Sequence, residues 1–383
     1  MAALILCVLY VGLLLTKAGL ASWEIRRQNR YSHGDSNEKG AAVTILQPIL
    51  SGDPYLEAVL EDNVRAHESV RFMWLIDGDD PEAQAVARRL RDRYPAREIE
   101  IQLSPQPPEG VNPKVFKLDR ALGRVSSDVL IVLDDDSRLS KSSLAALVAA
   151  LDRSELCTAL PAYRDDRMPA ARLLAQFVNN NAALTYLPLL PVRAPVTING
   201  MCYGLRRDYL RSLGGFAGIL NTLTDDLAMA ELVAGRGGRI HQSIATVEVQ
   251  TGLRSLGRYI QQMHRWNLFA ILLLRRQTPG LNVVIAVLQG IHPLILWGLI
   301  AVAGAQRSAA AVTALAAVLG LRLLVLTTLQ WTLTGRPRMR PIVSILSEML
   351  QPLHYFHALF YRTIRWRTRH YVVFDNDCFR PRP

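Results

Sequence analysis

The sequence predicts an α/β protein, a mainly parallel sheet covered by helices on both faces, carried on membrane-spanning α-helices. Three observations lead there. From about residue 40 to residue 265, short β-branched apolar runs alternate with amphipathic helical stretches, the pattern of a parallel sheet with crossover helices. On either side lie uncharged apolar runs of about the 20 residues that a bilayer-spanning helix needs. The composition agrees: half of the 383 residues are hydrophobic and 20% are charged, with a mean hydropathy of +0.13. That is too apolar for a disordered chain and slightly too apolar for an ordinary soluble enzyme. At roughly 150 residues per domain, the length allows two or three units.

The elements follow in order. Ala2 to Leu15 carries no charge, and only Lys17 interrupts the apolar run to Leu20. Gly19-Leu20-Ala21 resembles a signal-peptide cleavage site, but no basic residues precede the apolar core. Arg26, Arg27 and Arg30 follow it instead, so residues 1–22 read as an uncleaved anchor with the N-terminus outside. Val43 to Ile49 is the first strand, and Tyr55 to Ala66 the helix after it. Phe72 to Ile76 is the second strand, ending at Asp77-Gly78-Asp79-Asp80-Pro81. Asp80 is placed to cap the next helix, Glu82 to Tyr94, with Pro81 at its first position. Ile99 to Leu103 and Val129 to Leu133 are further strands, the latter running into Asp134-Asp135-Asp136. Leu144 to Leu151 reads as helix and Cys157 to Leu160 as strand. Ser104 to Pro113, with four prolines, reads as an ordered loop.

Beyond residue 265 the chain turns apolar. Phe269 to Leu274, flanked by Arg265 and Arg275-Arg276, reads as an interfacial helix. Leu281 to Gly304 and Ala309 to Leu333 are each long enough to span. Arg322, the only charge in the second, either faces protein or water, or snorkels to the headgroups. Ile342 to Phe360 contains Glu348, Gln351, Pro352, His354 and His357. It reads equally as a third span, a re-entrant piece or an interfacial helix. The loop from Arg336 to Arg340 and the tail Arg362, Arg365, Arg367 and Arg369 are basic. If both are cytoplasmic, that segment is no simple crossing. The net charge of +11 is therefore largely juxtamembrane, which suits anionic lipid and not nucleic acid. Cys7, Cys157, Cys202 and Cys378 form no CxxC pair, which disfavours a disulfide scaffold and a zinc site. The expected organisation is an anchor (1–22), a cytoplasmic catalytic domain (40–265), an interfacial helix with two to three membrane segments (266–362) and a basic tail (363–383).

Four features carry chemistry: Asp77 at the end of the second strand, Asp134-Asp135-Asp136 at the end of the fourth, Thr224-Asp225-Asp226 opening a helix, and Gln262, Arg265 and Trp266 on a later helix. Singly, each has a structural explanation. A strand-end aspartate forms turns, Asp225-Asp226 suits a helix N-terminus, and Trp266 suits a headgroup layer. Aspartates crowded at one sheet edge repel unless a cation binds. Hard carboxylate oxygens suit Mg²⁺ or Mn²⁺.

Taken in order, the four resemble the motifs of membrane-bound, inverting nucleotide-sugar glycosyltransferases of family 2, and within that group the ceramide glucosyltransferases most closely. Leu46-Gln47-Pro48-Ile49 with Gly52-Asp53-Pro54, Gly110-Val111-Asn112-Pro113-Lys114 and Trp366-Arg367-Thr368-Arg369-His370-Tyr371 add local likeness. The resemblance implies a GT-A fold, the Rossmann-like fold of nucleotide-diphospho-sugar transferases. It implies a UDP-sugar donor bound by Asp77, Lys114, Asp134, Gln262, Arg265 and Trp266, and a metal, Mg²⁺ or Mn²⁺, held by Asp134 and Asp136. Asp226 is then the base, with Asp225 beside it at the catalytic position. The expected reaction moves a hexose, glucose from UDP-glucose first, to the hydroxyl of a membrane lipid, ceramide first. A hopanoid or another lipid, with UDP-GlcNAc or UDP-galactose as donor, is the alternative. The expected location is the bacterial inner membrane, with the catalytic domain in the cytoplasm.

Two other functions are weighed. A processive polysaccharide synthase shares all four motifs but threads its polymer through more helices than this chain offers. A catalytically inactive membrane scaffold predicts loss of a metal or base carboxylate, yet Asp77, Asp134, Asp136 and Asp226 are all present. No GxGxxG opens a helix, which disfavours a dinucleotide-dependent dehydrogenase. Val178 to Thr197, where acceptor selection is expected, shows no motif.

Overall fold

The computed structural model describes residues 2–32, 41–164, 167–366 and 369–382. Arg367 and Thr368 of the tail motif lie outside them. In chain order the helices are α1 (Ala2–Ser32), α2 (Leu56–Ala66), α3 (Pro81–Arg93), α4 (Pro113–Leu122), α5 (Lys141–Ala150), α6 (Pro169–Tyr186), α7 (Arg207–Ser212), α8 (Asp225–Gly235), α9 (Leu256–Arg275), α10 (Pro279–Ile285), α11 (Ile291–Gln306), α12 (Ala309–Thr334) and α13 (Pro341–Phe360). The strands are β1 (Val43–Ile49), β2 (Arg71–Asp77), β3 (Ile99–Ser104), β4 (Val129–Leu133), β5 (Ser137–Leu139), β6 (Leu156–Tyr163), β7 (Cys202–Arg206), β8 (Ile240–Val249), β9 (Thr363–Trp366), β10 (Arg369–Val373) and β11 (Phe379–Arg382).

The chain forms two compact units. One comprises Gln28–Arg164, Val192–Gly252 and Arg369–Pro383. Its sheet has the order β3-β2-β1-β4-β7-β6-β8-β5. β1 pairs in parallel with β2 and β4, and β2 with β3. β7 runs antiparallel between β4 and β6, so the sheet is mixed where a mainly parallel one was expected. β4 (VLIVL) is buried at every position, as a strand covered on both faces must be. A core of Leu46, Met73, Leu130, Val132, Leu118 and Phe216 packs between sheet and helices. Strand order reverses at β1, with β2 on one side and β4 on the other. The carboxyl ends of β1 and β4 therefore bound the crevice where such sheets take ligands. Asp80 accepts from Ala83 N at 3.0 Å and Pro81 opens α3, as the sequence predicts. The end of α1 belongs to this unit: Gln28 donates to Gln242 O and accepts from Ile244 N on β8.

The other unit comprises Met1–Arg27, Asp165–Pro191 and Leu253–Thr368. Among the described residues three helices are long and apolar enough to cross a membrane: Ala2–Arg30, Pro279–Gln306 and Ala309–Thr334. α1 outruns the expected anchor, and α13 is not among the three. Within this unit α13 packs on α6, α9 and α11. That explains why α6 and α9 group with the apolar helices although both begin inside the expected 40–265 domain. Arg322 is 2% exposed and pairs with Glu348 of α13. It faces protein and does not snorkel.

Candidate active site

The site begins with α4. Asn112 caps it, accepting from Lys114 N at 3.0 Å and Val115 N at 3.3 Å, and Pro113 sets the first turn. Two lysines three residues apart then share one face. Lys117, fully buried, sends its ammonium to Asp77 Oδ1 at 3.1 Å and to Ile49 O at 3.1 Å. Lys114 reaches Asp134 Oδ1 at 2.9 Å, Asp225 Oδ2 at 2.9 Å and Gly200 O at 2.8 Å. One helix thus ties the carboxyl ends of β1 and β2 to the aspartates after β4 and to the Asp225-Asp226 pair. Burial opposes the charge on Lys114, but Asp134 and Asp225 more than offset it and hold the ammonium protonated.

The three aspartates after β4 are each held differently. Asp134 N donates to Met201 O at 2.9 Å, so the turn is pinned to the loop before β7. Asp135 accepts from Leu50 N at 2.7 Å, closing the edge against β1. Asp136 accepts from Ser137 Oγ at 3.2 Å. Burial, and then Asp134, Asp135 and Asp53, push the Asp136 carboxyl well above the carboxylate range. Among the described residues no group of three or more His, Cys, Asp or Glu side chains is gathered closely enough to hold a metal ion. Asp134 and Asp136 would offer a divalent cation two hard carboxylate ligands, with further oxygens to come from the diphosphate or water.

Asp225 and Asp226 occupy the first turn of α8, where the helix dipole favours negative charge. Asp226 Oδ1 accepts from Leu227 N at 2.8 Å. Burial, then the neighbouring Asp225, push its carboxyl up to about 7, with the Leu227 N–H and Lys114 pulling the other way. That is the range in which a carboxylate serves as a general base at neutral pH. Gly200 lies against it: a Cβ there would stand 3.2 Å from Asp226 Cβ. Thr224, at the cap position, makes no side-chain cap. Its Oγ1 and N–H both donate to Asn376 Oδ1 at 2.7 Å, and Leu223 N donates to Asn376 O at 2.7 Å. Asn112 Nδ2 donates to Thr222 O at 3.1 Å from within the same unit. Two buried asparagines, 1% exposed or less, therefore brace the loop that delivers Asp225 and Asp226.

Asp77, Lys114, Asp134, Asp136, Asp225 and Asp226 thus lie in one unit, the first five linked directly or through α4 and the acidic turn. Gln262, Arg265 and Trp266 lie on α9 in the other. There Arg265 Nη2 donates to Gln262 Oε1 at 2.9 Å, and Trp266 stacks on Phe177 of α6 at 6.2 Å. The sequence reading does not single out Lys117 or Asn376, and Asn112, part of the likeness at residues 110–114, carries there no sign of its bracing role. Lysine at i and i+3 behind an Asn-Pro helix start is the available signal for Lys117, and none marks Asn376.

The model of the family described as glycosyl transferase family 21 matches residues 4–378. Among solved structures, a mannosyltransferase from Pyrobaculum calidifontis in complex with GDP-Man and Mn²⁺ is 16% identical. The alignment covers 89% of this chain and 99% of that one, at a TM-score of 0.50. Glucosyl-3-phosphoglycerate synthase from Mycobacterium tuberculosis, with Mg²⁺ and uridine diphosphate, is 15% identical over 67% of this chain and 86% of that one, at a TM-score of 0.37. The fold is GT-A.

Proposed function

The chain belongs to glycosyl transferase family 21, and from that premise we propose that it transfers one hexose, with inversion, from a nucleotide diphosphate sugar to the hydroxyl of a membrane lipid. UDP-glucose is the first donor and ceramide the first acceptor, in keeping with a family that holds the ceramide glucosyltransferases. The observation that carries this is the Lys114 bridge between Asp134 and Asp225, which joins a donor-side carboxylate to the pair that includes the base.

The nucleotide lies across the carboxyl ends of β1, β2 and β4, with Asp77 at uracil or ribose. Lys114 meets a phosphate as a point charge, exchanging one of its present acceptors for it. Asp134 and Asp136 would hold Mg²⁺ or Mn²⁺, which would supply positive charge to neutralise the leaving diphosphate. The lipid hydroxyl attacks the anomeric carbon from the face opposite the diphosphate. As the new C–O bond forms and the bond to phosphate breaks, Asp226 takes the hydroxyl proton. For Gln262, Arg265 and Trp266 of α9 the motif implies a donor-side role, a guanidinium for phosphate and an indole for a sugar ring. The three long apolar helices hold the enzyme in the bacterial inner membrane, with the catalytic unit in the cytoplasm.

The test is nucleoside diphosphate release from purified protein in lipid-detergent micelles with Mg²⁺ or Mn²⁺. A panel of UDP-sugars is run against ceramide, a hopanoid and a diacylglycerol. Release that depends on one lipid and disappears in Asp226→Asn supports the reading. Release without lipid preference, accompanied by a growing polymer, replaces it with a synthase.

A further inference from the structure

The apolar unit encloses a polar cavity that the transfer chemistry leaves unassigned. Its lining includes Lys17 of α1, Asn181 of α6, His292 of α11, Arg322 of α12, and Glu348 and Gln351 of α13. With its mouth counted the void measures about 350 Å³, but only about 20 Å³ of it admits the centre of a water molecule. Such a slot is too narrow for a sugar ring and wide enough for a single oxygen-bearing group.

Most of the lining is satisfied from within. Arg322 pairs with Glu348 and donates to Ser344 Oγ at 2.8 Å and to Ser344 O at 3.1 Å. Glu348 Oε1 also accepts from Tyr10 Oη at 2.9 Å and faces His292 Nδ1 at 3.2 Å. Lys17 is different. It is 3% exposed, lines the cavity, and has neither hydrogen bond nor ion pair among the described residues. Gln351, also on the wall, has no such partner either. Two cations, Lys17 and Arg322, thus share a single carboxylate, and the surplus positive charge sits between helices that are apolar enough to cross a bilayer. An ammonium in that setting is expensive unless an oxygen acceptor meets it, and no described side chain hydrogen-bonds it, Glu348 acting on it only through space.

We propose that this cavity receives one phosphate oxygen of an anionic phospholipid whose headgroup sits at its mouth, the oxygen meeting the Lys17 ammonium and the Gln351 amide. The site goes beyond glycosyl transfer and rests only on the reading of the long apolar helices as membrane spans. The basic cluster at Arg26 and Arg27 attracts acidic lipid to the surface in general. The cavity selects one molecule and holds it.

The experiment compares wild type, Lys17→Met, Gln351→Leu and Arg26→Met, each purified in mild detergent and exchanged into micelles doped with phosphatidylglycerol or with phosphatidylcholine. Native mass spectrometry counts lipid retained through delipidation, and the thermal midpoint is followed in parallel. Wild type is expected to keep one phosphatidylglycerol per chain. Lys17→Met should lower that retention at least tenfold and Gln351→Leu several-fold, while Arg26→Met, on an exposed surface, keeps it. Equal retention in wild type and Lys17→Met overturns the proposal. So does equal loss in Lys17→Met and Arg26→Met, which marks unspecific attraction, and so does retention of phosphatidylcholine in place of phosphatidylglycerol. Should Lys17→Met fail to fold, wild type and Gln351→Leu decide. Phosphatidylglycerol must raise the wild-type midpoint by several degrees and that of Gln351→Leu by less, and no shift in wild type overturns the site. Because the readout is lipid retention and not sugar transfer, failure here leaves the transferase reading untouched.

Discussion

Replacing Asn376 with alanine tests whether the tail positions Asp225 and Asp226, the proposed catalytic pair. The amide accepts two hydrogen bonds from Thr224, both at 2.7 Å, and donates a longer one to Thr224 O at 3.4 Å. Thr224 is 2% exposed, so truncation strands a buried N–H and hydroxyl, and no water replaces the lost acceptor without rearrangement. Leaving a buried donor unmade costs about 1–3 kcal/mol. If that loss falls on the placement of Asp226, the turnover number drops by roughly 5- to 150-fold at 1.36 kcal/mol per factor of ten. The assay is steady-state transfer in micelles, with kcat and the donor KM separated and the thermal midpoint recorded alongside. The expected result is a fall in kcat with donor KM nearly unchanged. Asn376→Asp keeps both acceptor contacts but brings a negative charge toward Asp225 and Asp226, so it should restore kcat at high pH and move the acid limb of the profile upward. A lowered midpoint with unchanged kcat would refute the reasoning, since it would make the tail a prop remote from the chemistry.

Three further outcomes are expected. With the Asp226 carboxyl pushed up to about 7, kcat/KM should rise with pH through about 7, as the base must be deprotonated to act. A carboxyl raised above its unfolded value of about 3.9 stabilises the fold at low pH and loses that contribution as pH climbs through about 7, so the thermal midpoint of Asp226→Asn should depend less on pH across that window. Gly200→Ala places a methyl 3.2 Å from Asp226 Cβ and should reduce kcat by about tenfold with little change in donor KM, because small displacements of a positioned base are costly. Arg322→Met or Glu348→Gln alone leaves one buried charge without its partner and should destabilise by about 3–5 kcal/mol. The double variant should recover much of that loss in a thermal melt.

How far the sequence disclosed this depended on whether a signal was local. β1 to β4 were visible because each is a short apolar run ending in turn residues, and Asp80-Pro81 marked a helix start that the structure retains. β7 was not visible. Its sequence CYGLR carries Gly204, which belongs there because a Cβ would stand 2.6 Å from Ile131 Cδ1, and a glycine in a run of five reads as a break. α4 was hidden behind a proline-rich loop, and Lys117 with it. Asp77, Asp134, Asp136, Asp225 and Asp226 were legible as strand-end and helix-start carboxylates. The residues that hold them, Asn112, Lys117 and Asn376, act across tens to more than a hundred residues of chain, and no periodicity encodes such a contact. Arg322 was legible as an unusual charge, but its partner Glu348 was legible only once α12 and α13 were seen packed together.

The discontinuity of the catalytic unit has a consequence for the order in which a ribosome can complete it. Residues 28–164 and 192–252 leave the exit tunnel well before Asn376, whose two bonds to Thr224 close on that unit. At roughly 5–20 residues per second, the whole of 253–368 must be translated, and its apolar helices delivered to the translocon, before the Asp225-Asp226 turn receives its brace. On the reading of those helices as membrane spans, a nascent chain is committed to the bilayer before the Asp225-Asp226 turn is braced. For protein engineers the same arrangement means that a stop codon after α13 removes the asparagine that braces the Asp225-Asp226 turn, and that isolating this unit requires excising 165–191 as well as 253–368 and splicing residue 369 back on.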